Sequence, residues 1–494
     1  MFESSMPPLR SAATRPPILR ALALLVACAA ALALPPSRAA AQQPELSADV
    51  RQYVAVDTPV VALTHVRVID GTGSPAKDDE TVVIRNGNIA ALGPASSVKV
   101  PAGALVMDLG GKSVLPGLVM MHEHLFYPTG PGVYGNETQS FPRLYLAGGV
   151  TTMRTAGNVN GYGELAAARL IAEGRKPGPW IDATGPYLQG AGNPFEQMHT
   201  LEDAADATRM VDFWADAGAT SFKAYMMITR AELGAAVKEA HARGLKITGH
   251  LCSVTYREAA DLGIDDLEHG FFVSTDFVAD KKPDECPGQR AGMEALSGVD
   301  PGGPRFGALV DTLLAHHVAV TSTLTVFETF TPGRPQPPGL DVLDPILRER
   351  FEKTYRRIQQ DTASIYPSLL KKDMAMELRF ARAGGLLLAG TDPTGYGGVI
   401  PGFSDQREVE LLVEAGFTPL EAIRICTLNG ARYLGRADRI GSLAVGKQAD
   451  LVIIDGNPAE DISDIRKVEM VFRQGVGYDP QKLIGSVSGK VGLY

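Results

Sequence analysis

The chain has 494 residues, of which 45% are hydrophobic and 21% are charged, and its formal net charge is -9. This length exceeds what a single small core needs and fits a large domain joined to a minor one. The composition is that of a globular protein. Because the chain has no basic stripe to neutralise phosphates, we exclude nucleic acid as a partner.

Residues 1–41 have the pattern of a secretory signal peptide. Arginines precede an apolar stretch over 21–34, and small residues at 39–41 offer a cleavage site before Gln42. The apolar stretch is shorter than the roughly 20 residues of a membrane span, which disfavours a membrane anchor. We therefore predict a periplasmic or secreted protein. Attachment to lipid through Cys28, which lies in a lipobox-like sequence, is the alternative.

Both ends of the chain are rich in predicted strands. These strands are 60–70, 81–84, 88–92, 450–454 and 468–473, from their alternation of apolar and polar residues. Asn86-Gly87 is typical of a tight hairpin turn between the second and third of them. We predict a small composite β-sandwich domain that is assembled from 57–115 and 436–480.

Short apolar strands alternate with helical patterns through the middle of the chain. The predicted strands are 118–124, 150–154, 180–185, 220–225, 246–250, 265–269, 318–323 and 386–391. Eight such units indicate an α/β fold, a parallel (β/α)8 TIM barrel over 116–435. Two long segments, 276–305 and 327–372, follow the sixth and seventh strands, and we interpret them as covers of the substrate site, with peripheral decoration as the alternative.

Three cysteines remain once the signal segment is removed: Cys252, Cys286 and Cys426. Their number is odd, and no two of them have the close spacing of a metal-binding pair. We therefore expect no disulfide framework and at least one free cysteine.

His122 and His124 follow the apolar run of the first predicted barrel strand. Side chains at positions i and i+2 of a strand lie on the same face, so both imidazoles are expected to point into the barrel at the end of this strand. Imidazole is a preferred ligand of zinc. The pair in this strand context predicts a metal site.

Lys223 lies in a strand-like segment whose other residues are mostly uncharged. A lysine that points into a barrel core is unfavourable unless it is paired or modified. Reaction with CO₂ would convert its amine into a carbamate, an anionic ligand able to bridge two metals. A lysine on the outer face that reaches water is the alternative. Tyr225, two residues further on, shares the face of Lys223.

Three further candidates lie at the carboxyl ends of predicted strands, where barrel enzymes place catalytic groups. His250 and His269 end the fifth and sixth strands, and the equivalence of their positions favours metal ligands over buried structural histidines. Asp392 follows the eighth strand, where a carboxylate can bind a metal and accept a proton from the attacking water.

These motifs together resemble the successive metal motifs of the amidohydrolase superfamily. They are PGLVMMHEHL, SFKAY, ITGHL, DDLEHGF and LLLAGTDP, and the segment 418–455 resembles the closing helix of that family and its return into the β domain. Within the superfamily the chain is most similar to the imidazolonepropionase-like branch, which contains binuclear Xaa-Pro dipeptidases. Departures at Met120-Met121 and in the long segments leave the substrate open.

The resemblance implies a pair of divalent metal ions, expected to be zinc. His122, His124 and Asp392 would bind the first ion, and His250 and His269 would bind the second. Carboxylated Lys223 would bridge the two ions. The metals would lower the pKa of a shared water, and Asp392 would carry its proton to the leaving nitrogen.

The activity that the resemblance implies is hydrolysis of a C–N bond, the amide of a dipeptide or of an N-acyl amino acid. Tyr225 is the candidate for holding a substrate carboxylate or stabilising the oxyanion. A lactonase or phosphotriesterase could use the same centre, and a mononuclear deaminase or cyclic-amide hydrolase would not need Lys223. A non-catalytic scaffold is disfavoured because all six ligand positions are filled. We also expect a small-molecule substrate and a homo-oligomer.

Overall fold

The computed structural model describes residues 44–130, 132–192 and 195–493. The predicted signal segment, 1–41, and the alternative lipid attachment at Cys28 lie outside these residues. Within the described ranges, no helix is both long enough and apolar enough to cross a membrane.

Strands dominate both ends of the described chain and alternate with helices in its middle. The strands are β1 Val54–Val56, β2 Val60–Val68, β3 Lys77–Arg85, β4 Asn88–Pro94, β5 Leu105–Asp108, β6 Ser113–Pro116, β7 Leu118–Glu123, β8 Phe126–Gly130, β9 Val133–Asn136, β10 Val150–Thr155, β11 Trp180–Asp182, β12 Ser221–Ala224, β13 Lys246–Gly249, β14 Asp266–Glu268, β15 Ala319–Ser322, β16 Leu387–Ala389, β17 Leu451–Ile454, β18 Val468–Arg473 and β19 Val476–Tyr478.

The helices cover most of the remaining middle of the chain. They are α1 Ala48–Arg51, α2 Phe141–Ala147, α3 Tyr162–Ala172, α4 Ala204–Asp216, α5 Arg230–Ala242, α6 Tyr256–Leu262, α7 Gln289–Ser297, α8 Pro304–Ala315, α9 Leu324–Thr329, α10 Pro345–Gln359, α11 Tyr366–Arg382, α12 Phe403–Glu414, α13 Pro419–Arg424, α14 Gly430–Tyr433 and α15 Pro480–Val487. A π-helical turn, Ile425–Asn429, joins α13 to α14.

Strands from both ends of the chain form one nine-stranded sheet. Its order is β1-β19-β18-β17-β6-β2-β3-β4, and β5 pairs with β2. Two antiparallel pairs link the two ends: β6 with β17, in which Leu451 lies opposite Pro116, and β1 with β19. Val61, Leu63 and Ile453 are among the apolar side chains that are buried within this sheet's own core. The sheet therefore contains strands from 57–115 and from 436–480, the two segments predicted to form one β domain.

Eight parallel strands occupy the eight predicted segments in the middle of the chain. They form two hydrogen-bonded groups, β11-β10-β7 and β12-β13-β14-β15-β16. A parallel bridge between Thr184 and Ser221 connects the β11 side of the first group to β12. Beyond β16, the backbone N–H of Thr391 donates to the carbonyl of His122, at the end of β7, over 3.0 Å. The fold class is α/β. The two groups of strands contact each other at both edges, β11 with β12 and the end of β16 with β7.

Local sequence explains where several helices begin. Three of them, α5, α6 and α13, start with a capping box, formed by Thr229 and Glu232, by Thr255 and Glu258, and by Thr418 and Glu421. In each box the threonine hydroxyl accepts from the third helical N–H, and the glutamate accepts from the threonine N–H. The Thr-x-x-Glu pattern therefore fixes these helix starts.

A disulfide joins Cys252, three residues after β13, to Cys286 in the long segment 276–305. The two Cα atoms are 4.9 Å apart. Cys426 is free and buried. At least one free cysteine is thus present as expected, and the described chain has one disulfide rather than a framework of several. The sequence does not predict this pair, because a separation of 34 residues carries no pairing signal.

Candidate metal centre

The predicted ligand residues lie at or just beyond the carboxyl ends of the parallel strands. His122 is the fifth residue of β7, and Lys223 is the third residue of β12. His250 and His269 directly follow β13 and β14, and Asp392 follows β16 by three residues. The carboxyl ends of parallel strands meet at one edge, where ligands of such sheets bind.

The backbone at two of these positions has a conformation that side chains other than glycine rarely adopt. His269 has φ 70°, and Asp392 has φ 54°. Such a residue costs roughly 1–3 kcal/mol and persists only where the surrounding structure enforces it. At Asp392 the enforcement is visible, because its N–H donates to the carbonyl of His122 over 3.1 Å. Strain at two ligand-type residues is typical of a functional site.

The side chains of the candidate ligands converge on Asp392. Its Oδ1 lies 3.1 Å from Nε2 of His124 and 3.7 Å from Nε2 of His122. Its Oδ2 lies 3.7 Å from Nδ1 of His269. Nζ of Lys223 lies 3.4 Å from Nε2 of His122. These four neighbours and Asp392 form one buried cluster.

His250 and Tyr225 extend the cluster toward solvent. The imidazole of His250 has its centroid 4.4 Å from that of His269. The ring of Tyr225 lies 5.0 Å from the His250 ring. The structure therefore brings together all six residues predicted as ligands, with Tyr225 beside them. Their roles as ligands stay a prediction.

The donor set fits a divalent metal ion. Ligand atoms of His122, His269 and Asp392 all lie within 4.8 Å of one another. Within the described part of the chain, Nδ1 of His124 and Nε2 of His269 are buried without a hydrogen-bond partner. Buried polar atoms normally find partners, so orphaned imidazole nitrogens in a cluster with a carboxylate indicate a cation.

The electrostatics hold these side chains in the protonation states that metal ligation requires. Burial lowers the pKa of His269 to about 4 and the pKa of His122 and of His250 well below the usual value, so the imidazoles are neutral near pH 7. Burial opposes ionisation of Asp392, but its hydrogen bond with His124 and the field of Lys223 outweigh burial and lower its pKa below the usual range. Neutral imidazoles and an ionised carboxylate are the forms that bind metals.

Sequence reasoning missed a buried ionic network that holds Lys223. The Lys223 amine contacts Oε2 of Glu268. Oε1 of Glu268 accepts from Arg154 over 3.1 Å and from the Thr248 hydroxyl over 2.6 Å. Burial opposes ionisation of Glu268, yet Lys223 and Arg154 lower its pKa to about 2. The signal that singled out Lys223, a charge within a buried strand, also applies to Arg154 in β10.

Two further polar residues orient members of the cluster. The hydroxyl of Thr323 lies 3.0 Å from Nδ1 of His269, and Nε2 of this imidazole is buried without a hydrogen-bond partner. Glu123, between His122 and His124, accepts from the N–H and the hydroxyl of Thr391, next to Asp392. Such partners fix ring and carboxylate orientation around metal sites.

A cavity of about 430 Å³ opens above the cluster, and His250, His269 and Asp392 line its base. Tyr225 also lines it. Both long segments contribute lining residues, Gln289 from 276–305 and Phe330 from 327–372. Volumes of this order hold a small molecule.

Comparison with known proteins identifies relatives over most of the chain. Residues 352–477 match the amidohydrolase family. The chain is 25% identical over 425 residues to a dihydroorotase from Pelotomaculum thermopropionicum, with 79% of this chain and 87% of that protein covered. It is 26% identical over 450 residues to an imidazolonepropionase from Micrococcus luteus, with 81% and 91% covered.

Solved structures share the fold. A Xaa-Pro dipeptidase with bound methionine in its active site is 21% identical, with 85% of this chain and 100% of that chain covered and a TM-score of 0.63. Phenylurea hydrolase B is 22% identical, with 85% and 97% covered and a TM-score of 0.64. At these identities the likeness concerns the fold.

Proposed function

We propose that this chain, a member of the amidohydrolase superfamily and a hydrolase of C–N bonds, cleaves the amide bond of a dipeptide or an N-acyl amino acid outside the cytoplasm. The observation that carries the proposal is the buried cluster of His122, His269 and Asp392 at the base of a cavity of small-molecule size. The dipeptide is supported by the fold shared with a Xaa-Pro dipeptidase.

The proposed centre takes two zinc ions. His122, His124 and Asp392 would hold one ion, and His250 and His269 would hold the other. Lys223, carboxylated by CO₂, would bridge them, and its place within the cluster supports a binuclear over a mononuclear site. Bound divalent metals supply Lewis acidity, which lowers the pKa of water and polarises a carbonyl.

Two residues of the chain would act on the substrate directly. Asp392 would accept the proton of the attacking water and deliver it to the leaving nitrogen, because it is ionised and lines the cavity. Tyr225 would donate its hydroxyl to the substrate carboxylate or to the oxyanion. Among the described lining residues there is no lysine or arginine for this task.

The closed barrel and the export of the chain belong to the same proposal. Contacts at both outer edges of the two parallel groups support closure into a barrel, with the composite β domain beside it. The disulfide between Cys252 and Cys286 supports export, since disulfides persist in oxidising compartments and are rare in the cytosol.

The test is a hydrolysis screen of the purified, metal-loaded chain from residue 42 onward. It covers dipeptides, N-acyl amino acids, their carboxamides and lactones, with metal counted by elemental analysis. We expect turnover of amides and two metals per chain. Turnover of lactones alone would overturn the peptidase proposal, and full activity with one metal would overturn the binuclear centre.

Tyr225→Phe tests the carboxylate anchor. A hydrogen bond to a charged group contributes about 1.5–3 kcal/mol, so the substitution should lower kcat/KM by roughly ten- to a hundredfold on substrates with a free carboxylate. The matched carboxamide should lose much less, because it lacks the charged partner. Equal losses on both substrates would mean that Tyr225 does not bind the carboxylate.

A further inference from the structure

Aromatic rings form two walls of the cavity above the candidate metal centre. The first wall consists of Tyr134, Phe195 and Tyr225, and the second wall consists of Phe327, Phe330 and Tyr396. In the first wall the ring centroids of Tyr134 and Phe195 are 5.9 Å apart, and those of Phe195 and Tyr225 are 6.2 Å apart. In the second wall Phe330 and Tyr396 lie 5.2 Å apart, edge to face.

The second wall is held in place by a second layer of rings. The backing rings are Phe272 behind Phe327 at 3.7 Å, Tyr366 behind Phe330 at 5.4 Å and Phe351 behind Tyr396 at 5.4 Å, all three stacked. The Tyr396 hydroxyl also donates to the carbonyl of Thr329. Rings that are packed on one side present a fixed face on the other, which reduces the entropy lost on binding.

The cavity has few charged side chains in its lining. Among its described lining residues there is no lysine or arginine, and Asp392 is the acidic one. The cavity also reaches the reacting centre, because Phe327 lies 6.0 Å from the His269 ring and Tyr225 lies 5.0 Å from the His250 ring. A group bound between the walls would therefore lie next to the scissile bond.

We propose that the substrate carries an uncharged aromatic ring directly beside the scissile amide, and that this ring binds between the first and the second wall. The proposal rests on the proposed amide hydrolysis and narrows its substrate class. Phe330 is the specificity determinant, because it belongs to the second wall and is only partly buried in the chain itself.

Two matched substrate pairs test the proposal in the metal-loaded chain. N-benzoylglycine against N-acetylglycine places the ring on the acyl side, and acetanilide against N-methylacetamide places it on the amine side. Burial of a phenyl ring should raise kcat/KM about 10- to 100-fold for the aromatic member of at least one pair. Turnover with ratios near one in both pairs would overturn the aromatic site and leave amide hydrolysis standing.

Substitutions locate the effect. Phe330→Ala should lower the aromatic preference by roughly 3- to 10-fold, and Phe330→Leu, which keeps most of the volume, should lower it less. Phe213→Ala is the matched control, since Phe213 on helix α4 is 54% exposed and is not among the described lining residues of the cavity. An unchanged preference in both Phe330 variants would overturn the role of the second wall.

Binding without turnover separates this proposal from the proposed function. Saturation-transfer NMR with benzamide and acetamide should show tighter binding of benzamide, and the difference should shrink in Phe330→Leu. If no amide is hydrolysed but this difference appears, the proposed function fails and the aromatic site stands. Equal binding, or no binding of benzamide, would overturn the aromatic site.

Discussion

Two groups of buried carboxylates in this protein meet opposite electrostatic environments. Asp392 and Glu268 lie in the candidate metal centre beside histidines and lysine, and despite burial their pKa values are lowered. Glu377 on α11 and Glu408 on α12 lie against the end of β15, and burial raises the pKa of Glu408 to about 7 and that of Glu377 well above its usual value. Burial is common to both groups, so the neighbouring charge decides.

The hydrogen bonds around Glu377 and Glu408 also indicate that one of these two carboxyl groups is protonated. The single hydroxyl of Ser322 lies 2.8 Å from a carboxylate oxygen of Glu377 and 2.8 Å from one of Glu408. One hydroxyl proton serves only one of them, so one carboxyl must carry its own proton. Glu408 also accepts from two backbone N–H groups, of Leu324 and Thr325, which leaves the proton on Glu377. Both carboxylates therefore keep their charge in the candidate metal centre, whereas behind the strands Glu377 is neutral.

Asp392→Asn gives the largest expected effect and tests the charged side of the comparison. The substitution removes both a proposed metal ligand and the proposed proton carrier, so kcat/KM should fall by at least about 1,000-fold. Glu377→Gln is the matched control and should retain activity, because it replaces a neutral acid by a neutral amide. Activity of Asp392→Asn within tenfold of the parent would remove Asp392 from catalysis.

Lys223→Ala tests the proposed bridge between the metals. Without this ligand most activity should be lost, and elemental analysis should show metal content falling from two ions per chain toward one. Circular dichroism of the variant checks that it folds. Two ions bound with parental activity would show that Lys223 is not a ligand.

Glu268→Gln and Glu377→Gln compare the two groups of carboxylates by the free energy of unfolding. In the metal-free chain, where Lys223 keeps its amine, Glu268→Gln leaves Arg154 and Lys223 buried without their shared counter-charge, which should destabilise the fold by about 3–5 kcal/mol. Glu377→Gln at pH 7 should be no less stable than the parent, because an amide keeps the hydrogen bond to Ser322. Urea unfolding measures both, and equal destabilisation would contradict the assigned charge states.

Per pH unit, the pH dependence of unfolding gives the smallest expected effect. The folded pKa of Glu377 lies well above its unfolded value, so its contribution to stability is full below the unfolded pKa, near 4, and is lost as pH rises. The advantage of Glu377→Gln over the parent should therefore grow as pH rises above the unfolded pKa, by up to about 1.4 kcal/mol per pH unit. Parallel stability curves would place an ionised Glu377 in the folded state.

Local patterns in the sequence predicted the parallel strands and the residues that converge in the centre. Alternation along β7 placed His122 and His124 on one face, and a charge within an apolar strand singled out Lys223. Partners across the fold escaped this reasoning, because Glu268 meets Arg154 only when β14 and β10 are brought together by distant contacts. The cavity walls escaped it for the same reason, since Tyr134 and Phe330 are separated by nearly two hundred residues.

The disulfide between Cys252 and Cys286 has a consequence for how the protein is produced. The bond ties segment 276–305, which carries Gln289 to the cavity, to the chain two residues after His250. Closing a loop of this length removes about 3–4 kcal/mol of chain entropy from the unfolded state. A chain purified from a reducing cytoplasm keeps both thiols and lacks this constraint. Recombinant protein from the cytosol therefore differs from protein from the periplasm in whether this bond holds the segment that lines the cavity.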